Sequence, residues 1–209
     1  MSGLMVTSGV RTDYVREVLA IDAYSCRVRW RLALPGREEA PIAISRGVVV
    51  TEATSGVGRG LAFVDLRTGR LLQVVAPPSG ADATYFAAAL VADGDDLFVG
   101  APGPAGSVIE YDMRSRAPVG VYDAPMAAGA SPRFLGLAVA TSKRWVVARA
   151  GESDGTAVYV FDRRTRKLVQ KLPDRLGLDA SYGLRMASWQ GRFFLANPDV
   201  DEGYVDVVR

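Results

Sequence analysis

The feature that most constrains this chain is a repeat. FAAALVADGDDLFVGAP, Phe86 to Pro102, aligns without gaps onto FLGLAVATSKRWVVARA, Phe134 to Ala150, and onto YGLRMASWQGRFFLANP, Tyr182 to Pro198, at an offset of 48 residues each time. Phe86, Phe134 and Tyr182 open the copies, Leu97, Trp145 and Phe193 begin the second apolar run, and Gly100, Ala148 and Ala196 are all small. A weaker copy, Pro41 to Ala53, lies one period upstream. Between the copies a second element recurs: an apolar run, an aspartate, a short polar corner and another run. It places Asp22, Asp65, Asp112 and Asp162 at intervals of 43, 47 and 50 in a D-x-x-[ST] pattern. Side-chain oxygens at such a corner accept from N–H groups a few residues on and hold a tight turn. Gly69 supplies a residue suited to left-handed backbone; Cys26, Arg116 and Arg166 stand in its place elsewhere, so there the conformation is either absent or strained. The repetition reads these aspartates as turn residues rather than catalytic groups.

Each period divides into four short segments with turn signals between them, for example 86–92, 96–101, 107–112 and 118–123, all too short for helices. LFVGA, WVVARA and FFLAN are nearly continuous apolar runs, as expected of strands buried on both faces. CRVRWRLA alternates, as expected of a strand with one wet face. Four-stranded units of this length stacked about an axis are the blades of a β-propeller. The expected fold is therefore all-β, a single propeller domain over residues 1–209 with about four four-stranded blades. Its repeats are a half blade at 15–34, units at 41–76, 86–124 and 134–173, and a partial blade at 182–209. Two arrangements fit: closure by pairing of the N- and C-terminal strands, or an open arc of a larger propeller, in which self-association through exposed edges is expected.

Composition narrows the function. With 49% hydrophobic and 23% charged residues over 209 positions, the chain can bury a core. Twenty-five Lys+Arg against 23 Asp+Glu leave too little net charge for a strong grip on nucleic acid. There is no histidine, which removes Ser-His-Asp and Cys-His nucleophile pairs, imidazole metal ligands and the commonest general base. The one cysteine, Cys26, cannot close an intramolecular disulfide and is expected to pack as a small hydrophobe. No signal-peptide pattern and no membrane-spanning run is found in the sequence. The cellular compartment stays open.

Two resemblances rest on these residues. Phe86-Ala87-Ala88-Ala89 with Asp93-Gly94-Asp95 and Val99-Gly100-Ala101-Pro102-Gly103 resembles the FG-GAP repeat of integrin-α-like propellers; the later copies match less well. Some repeats of that family bind calcium in a D-x-D-x-D-G loop, from which Asp93-Gly94-Asp95-Asp96 departs by being too short. Ala20-Ile21-Asp22-Ala23-Tyr24-Ser25-Cys26-Arg27-Val28-Arg29-Trp30 resembles the pyrroloquinoline-quinone-like (PQQ-like) repeat A-x-D-x-x-T-G-x-x-x-W, and in the next copy Gln73 replaces the tryptophan. That resemblance implies a tryptophan docked between blades, a packing role and not cofactor binding.

Three stretches invite a site. Asp199, Asp201 and Glu202, between the second and third strands of the last repeat, place oxygens at a spacing that suits calcium, the one cofactor this sequence suggests. A solvated hairpin loop explains the same acidity. Gly56-Val57-Gly58-Arg59-Gly60 lacks the following helix that a phosphate loop needs and reads as a flexible hairpin. Arg163-Arg164-Thr165-Arg166-Lys167 reads as a solvated corner. With no catalytic residue to name, the leading expectation is a non-catalytic propeller that binds a protein or a glycan on its loops. The alternative is a fragment or relative of a quinoprotein (PQQ-like) dehydrogenase.

Overall fold

The structure is a computed structural model that describes residues 3–10, 15–35, 40–55, 58–79, 81, 86–103, 106–123, 133–152, 155–173, 185–189, 192–196 and 205–208. Eighteen strands run through them with no helix. β1 (Leu4–Val10), β2 (Arg16–Asp22) and β3 (Val28–Leu34) form the first sheet, and β4 (Ile42–Ser45), β5 (Val48–Ser55), β6 (Gly58–Asp65) and β7 (Leu71–Val75) the second. β8 (Ala89–Asp93), β9 (Asp96–Ala101), β10 (Ser107–Asp112) and β11 (Ala117–Asp123) form the third. The fourth contains β12 (Arg133–Thr141), β13 (Trp145–Glu152), β14 (Gly155–Asp162) and β15 (Leu168–Pro173). The fifth contains β16 (Arg185–Trp189), β17 (Arg192–Ala196) and β18 (Val205–Val208). Every pairing is antiparallel between chain neighbours, giving blades of three, four, four, four and three strands.

The doubly apolar runs follow from this stacking. Along β6, Phe63 faces the third sheet while Val64 faces the first. Along β9, Leu97 and Val99 enter the core shared with the second sheet and Phe98 the core shared with the fourth. Along β14, Ala157, Tyr159 and Phe161 face the third sheet while Val158 and Val160 face the fifth. Successive side chains of a strand point to opposite faces, so each middle strand feeds two cores. A side chain so buried contributes about 1.5–3 kcal/mol. The core is thus a series of four inter-blade layers.

β1 pairs with β2 and β18 with β17, and among the described residues no pairing joins the first and last sheets. The expected half blade at 15–34 has a third strand, Leu4–Val10, which the repeat comparison does not contain.

The ungapped 48-residue offset also conceals a shift. Leu97 pairs with Tyr111, the residue before a corner aspartate, and Val146, not Trp145, holds the matching place opposite Phe161. A one-residue slip moves a side chain to the other face of its strand. Val146 is accordingly fully buried, and Trp145 is only half-buried at the end of the blade.

Candidate functional site

In an up-down-up-down blade, the turn between the first two strands and the corner between the last two lie at one end. The corners form as their sequence predicts. Asp65 Oδ1 accepts from Thr68 N at 2.7 Å and Thr68 Oγ1 at 2.6 Å; Asp162 Oδ1 does the same with Thr165 at 2.8 and 3.0 Å, and Asp22 Oδ1 with Ser25 at 2.8 and 3.0 Å. Asp112 Oδ1 accepts from Ser115 N at 2.6 Å. Cys26, Arg116 and Arg166 all adopt left-handed backbone, with φ of 54°, 58° and 58°, alongside Gly69 at 71°. Of the two alternatives left by the sequence, the conformation is present and strained. Cys26 is exposed, contrary to expectation: it sits on the exposed corner after Asp22, outside the core between the first and second sheets.

The corners also lock blades together. In all four, the last two strands slip register two residues before the aspartate, leaving Trp30 opposite Ala20, Gln73 opposite Phe63, Gly120 opposite Glu110 and Gln170 opposite Val160. At the first three junctions the left-handed residue of the next blade packs on this pair. Trp30 lies against Gly69 and donates Nε1–H to Leu66 O at 2.8 Å. Arg116 Nη1 donates to Gln73 Oε1 at 3.3 Å and its guanidinium sits 5.8 Å from the Phe63 ring centroid. Arg166 fills the space beside Gly120 and donates Nε–H to Glu110 Oε2 at 2.9 Å.

Two members of the basic run therefore make bonds across a blade junction instead of standing free at a solvated corner. Besides Arg166, Arg163 reaches across to the β8–β9 turn: Nη1 lies 2.5 Å from Asp93 Oδ2 and 2.9 Å from Ser142 O, and Nη2 lies 2.7 Å from Asp96 Oδ2. Its guanidinium is 5.0 Å from the Phe98 ring centroid. Burial lowers its pKa, but the bonds to Asp93 and Asp96 more than offset this and leave it raised. Asp95, in the same turn, is bound by Arg46 (Nη2 to Oδ2, 2.8 Å) and Arg114 (3.2 Å). Each aspartate of Asp93-Gly94-Asp95-Asp96 thus has an arginine partner.

Beside this clamp, at the inner ends of three consecutive blades, opens a cleft of about 540 Å3. Val91, Ala92 and Asp93 of β8 form one wall; Thr141 to Trp145, the β12–β13 turn, form another; Ser188 of β16 closes the third side. Ser142 Oγ accepts from Trp145 N at 3.1 Å and fixes the turn. Ser188 Oγ donates to Thr141 O and ties the fifth blade to it. The Arg144 guanidinium lies 4.3 Å from the Trp145 ring centroid. Lys143 and Arg144 are exposed, and no acidic side chain among the described residues pairs with either. The one sequence signal for this cleft is the cationic Ser142-Lys143-Arg144 where the preceding blade has its acidic turn; the ungapped alignment hid Trp145 by placing it in the core.

Asp199, Asp201 and Glu202 lie outside the described residues, and within the described ones no group of three or more Cys, Asp or Glu side chains is placed to hold a metal ion. Gly58 and Gly60 lie in β6, which pairs with β5 as a hairpin, with residues 56 and 57 outside the described set.

No family model matches the chain, and no curated protein matches it. Solved structures do. The computationally designed protein Ika4 is 20% identical with a TM-score of 0.57 over 84% of this chain and 94% of its own. The Dos1 propeller is 12% identical with a TM-score of 0.62 over 98% of this chain and 55% of its own. Dihydro-heme d1 dehydrogenase NirN, in complex with DHE, is 14% identical with a TM-score of 0.63 over 99% and 44%. This chain is built as a β-propeller. It spans about half the length of Dos1 and NirN. At these identities the likeness concerns fold alone, and the propeller scaffold is shared by proteins of unrelated function.

Proposed function

We propose that the chain is a non-catalytic binding scaffold that presents its hairpin-and-corner face to a protein or glycan partner. The observation that carries this reading is the cleft at the inner ends of three blades, where Lys143 and Arg144 stand beside Trp145 on a turn held by Ser142, with no acidic partner among the described residues. Neighbouring acidic groups are engaged by arginines, whereas these cations are open to solvent. Concave sites that mix apolar walls with a few polar groups are where ligands bind. The absence of histidine from the sequence favours binding over acid–base chemistry. The quinoprotein alternative leaned on Asp22 to Trp30, and those residues serve a turn and a blade junction.

A glycan array and a pull-down, run with the chain and with a Lys143→Glu/Arg144→Glu variant, test the proposal. Partner capture that the variant loses supports it. No capture by the unaltered chain on either format counts against it.

A further inference from the structure

We propose that the cleft between β8, the β12–β13 turn and Ser188 is a site for a carboxylate-bearing saccharide; this rests on the scaffold reading above and gives its ligand a chemical class. Three features of the cleft converge on that chemistry. The first is charge. Arg144 and Lys143 are adjacent on one rim, and Asp93, the carboxylate among the described lining residues, is bound by Arg163 together with Asp96 of the same turn. An anion entering the cleft thus meets cations that no described carboxylate already answers. A guanidinium lying over an indole is held in one plane and can meet a carboxylate with two parallel N–H donors.

The second feature is the lining. Thr141, Ser142 and Ser188 bring hydroxyl groups to the wall, while Val91, Ala92 and the Trp145 ring supply apolar surface. A sugar ring matches this mixture, because it carries hydroxyls around its edge and C–H groups on its faces, and aromatic rings offer such a ligand an amphipathic surface. The third is size. The cleft volume of about 540 Å3 lies within the range of about 300–1,000 Å3 usual for small-ligand sites, so a few sugar units fit and a folded domain does not.

The Ser142 bond to the Trp145 amide and the Ser188 bond to Thr141 O fix two of the walls, and Arg163, bonded to both Asp93 Oδ2 and Ser142 O, ties the β8 wall to them. Binding then needs little ordering of the protein, which is how a small contact area yields measurable affinity. Lys143 and Arg144 are positioned by the turn backbone: Arg144 O accepts from Arg163 N at 2.8 Å. Their side chains can be changed without removing that support.

Digalacturonate serves as the probe, followed by tryptophan fluorescence and calorimetry, with maltose, sodium acetate and tetraglutamate as separate arms. Saturable binding of digalacturonate is expected, with maltose and acetate at least tenfold weaker. Arg144→Gln and Lys143→Gln should each weaken it about tenfold or more, as loss of a charge-assisted contact does. Trp145→Phe should retain binding while removing most of the fluorescence response, and Arg67→Gln, on a remote exposed corner, should change nothing. Equal thermal midpoints across the variants separate lost binding from lost folding. Equal affinity for maltose overturns the role of charge, equal affinity for acetate overturns the saccharide, and tighter tetraglutamate makes the cleft a peptide site. No saturable binding in any arm overturns the site altogether. An array or pull-down hit that Arg144→Gln leaves intact would remove this cleft and leave the scaffold reading standing.

Discussion

The indole of Trp30 occupies the space that a β-carbon on Gly69 would need: such an atom would fall 2.6 Å from Trp30 Cδ2. The two residues belong to successive blades, and the Trp30 Nε1–H bond to Leu66 O closes the same junction. Bulk on one side of the joint is matched by its absence on the other. The third junction reverses the arrangement, with Gly120 on the first blade and Arg166 on the next.

Gly69→Ala should therefore destabilise the chain by about 2–4 kcal/mol, combining a left-handed backbone with overpacking. Denaturant unfolding measures it. In a Trp30→Ala background the clash disappears and only the backbone penalty remains, so the two substitutions should be non-additive. Additive losses would show that the two side chains do not share one space.

The left-handed corner residues separate strain from contact. Arg166 supports Glu110 across a junction, whereas Cys26 is exposed at the same corner position with φ of 54°. Cys26→Gly should stabilise by about 1 kcal/mol, since glycine adopts this backbone without the steric cost. Arg166→Gly relieves the same strain yet leaves the buried Glu110 carboxylate short of a partner, and should destabilise by about 1–3 kcal/mol. Paired denaturation curves check both signs.

Much of this was legible in the sequence and some was not, for a definite reason. The strand pattern of the 86–123 repeat agrees with β8 to β11 within a few residues, because alternation and turn residues act locally. The Asp-x-x-Ser/Thr corners are local too, and formed as written. Trp145 was misplaced because an ungapped alignment cannot register a one-residue slip compensated in the next repeat. Arg163 looked solvated because its partners, Asp93 and Asp96, lie in the first turn of the preceding blade, and no pattern in a single segment encodes a contact 70 residues away. The half blade at the start gained β1, whose LMVTSGV run belongs to no repeat column.

The corners should also make the fold acid-sensitive. The bond from Arg29 and those from Ser25 hold the Asp22 carboxyl well below the usual carboxylate range, and bonds from Thr68 and Thr165 lower Asp65 and Asp162. A carboxyl depressed by folding contributes stability that is complete above its unfolded pKa, about 3.9, and is lost as pH falls through the lower folded value. Thermal midpoints should accordingly drop as pH is taken below about 4. In Asp22→Asn the midpoint near neutral pH should be lower and its dependence on acid shallower. An unchanged slope would show that the corner carboxylates do not govern acid unfolding.

Two buried tyrosines of the third blade should respond in opposite ways to loss of the hydroxyl. Tyr111 is fully buried between the second and third sheets, its hydroxyl has no partner among the described residues, and burial pushes its pKa up to about 12. Tyr122 is equally buried, but its hydroxyl lies 3.1 Å from Glu110 Oε2 and 3.2 Å from Arg163 O, at the junction with the fourth sheet. Burial, with the Glu110 carboxylate beside it, raises its pKa as well. Removing an unbonded buried hydroxyl relieves a desolvation penalty, whereas removing a bonded one leaves Glu110 with one donor fewer. Tyr111→Phe is expected to be neutral or stabilising by up to about 1 kcal/mol, and Tyr122→Phe to destabilise by about 1–3 kcal/mol. Urea denaturation of the two variants side by side decides the matter. A substantial loss in Tyr111→Phe would mean that its hydroxyl is bonded, by a buried water or by a residue outside those described, and the contrast between the two junctions would then fail.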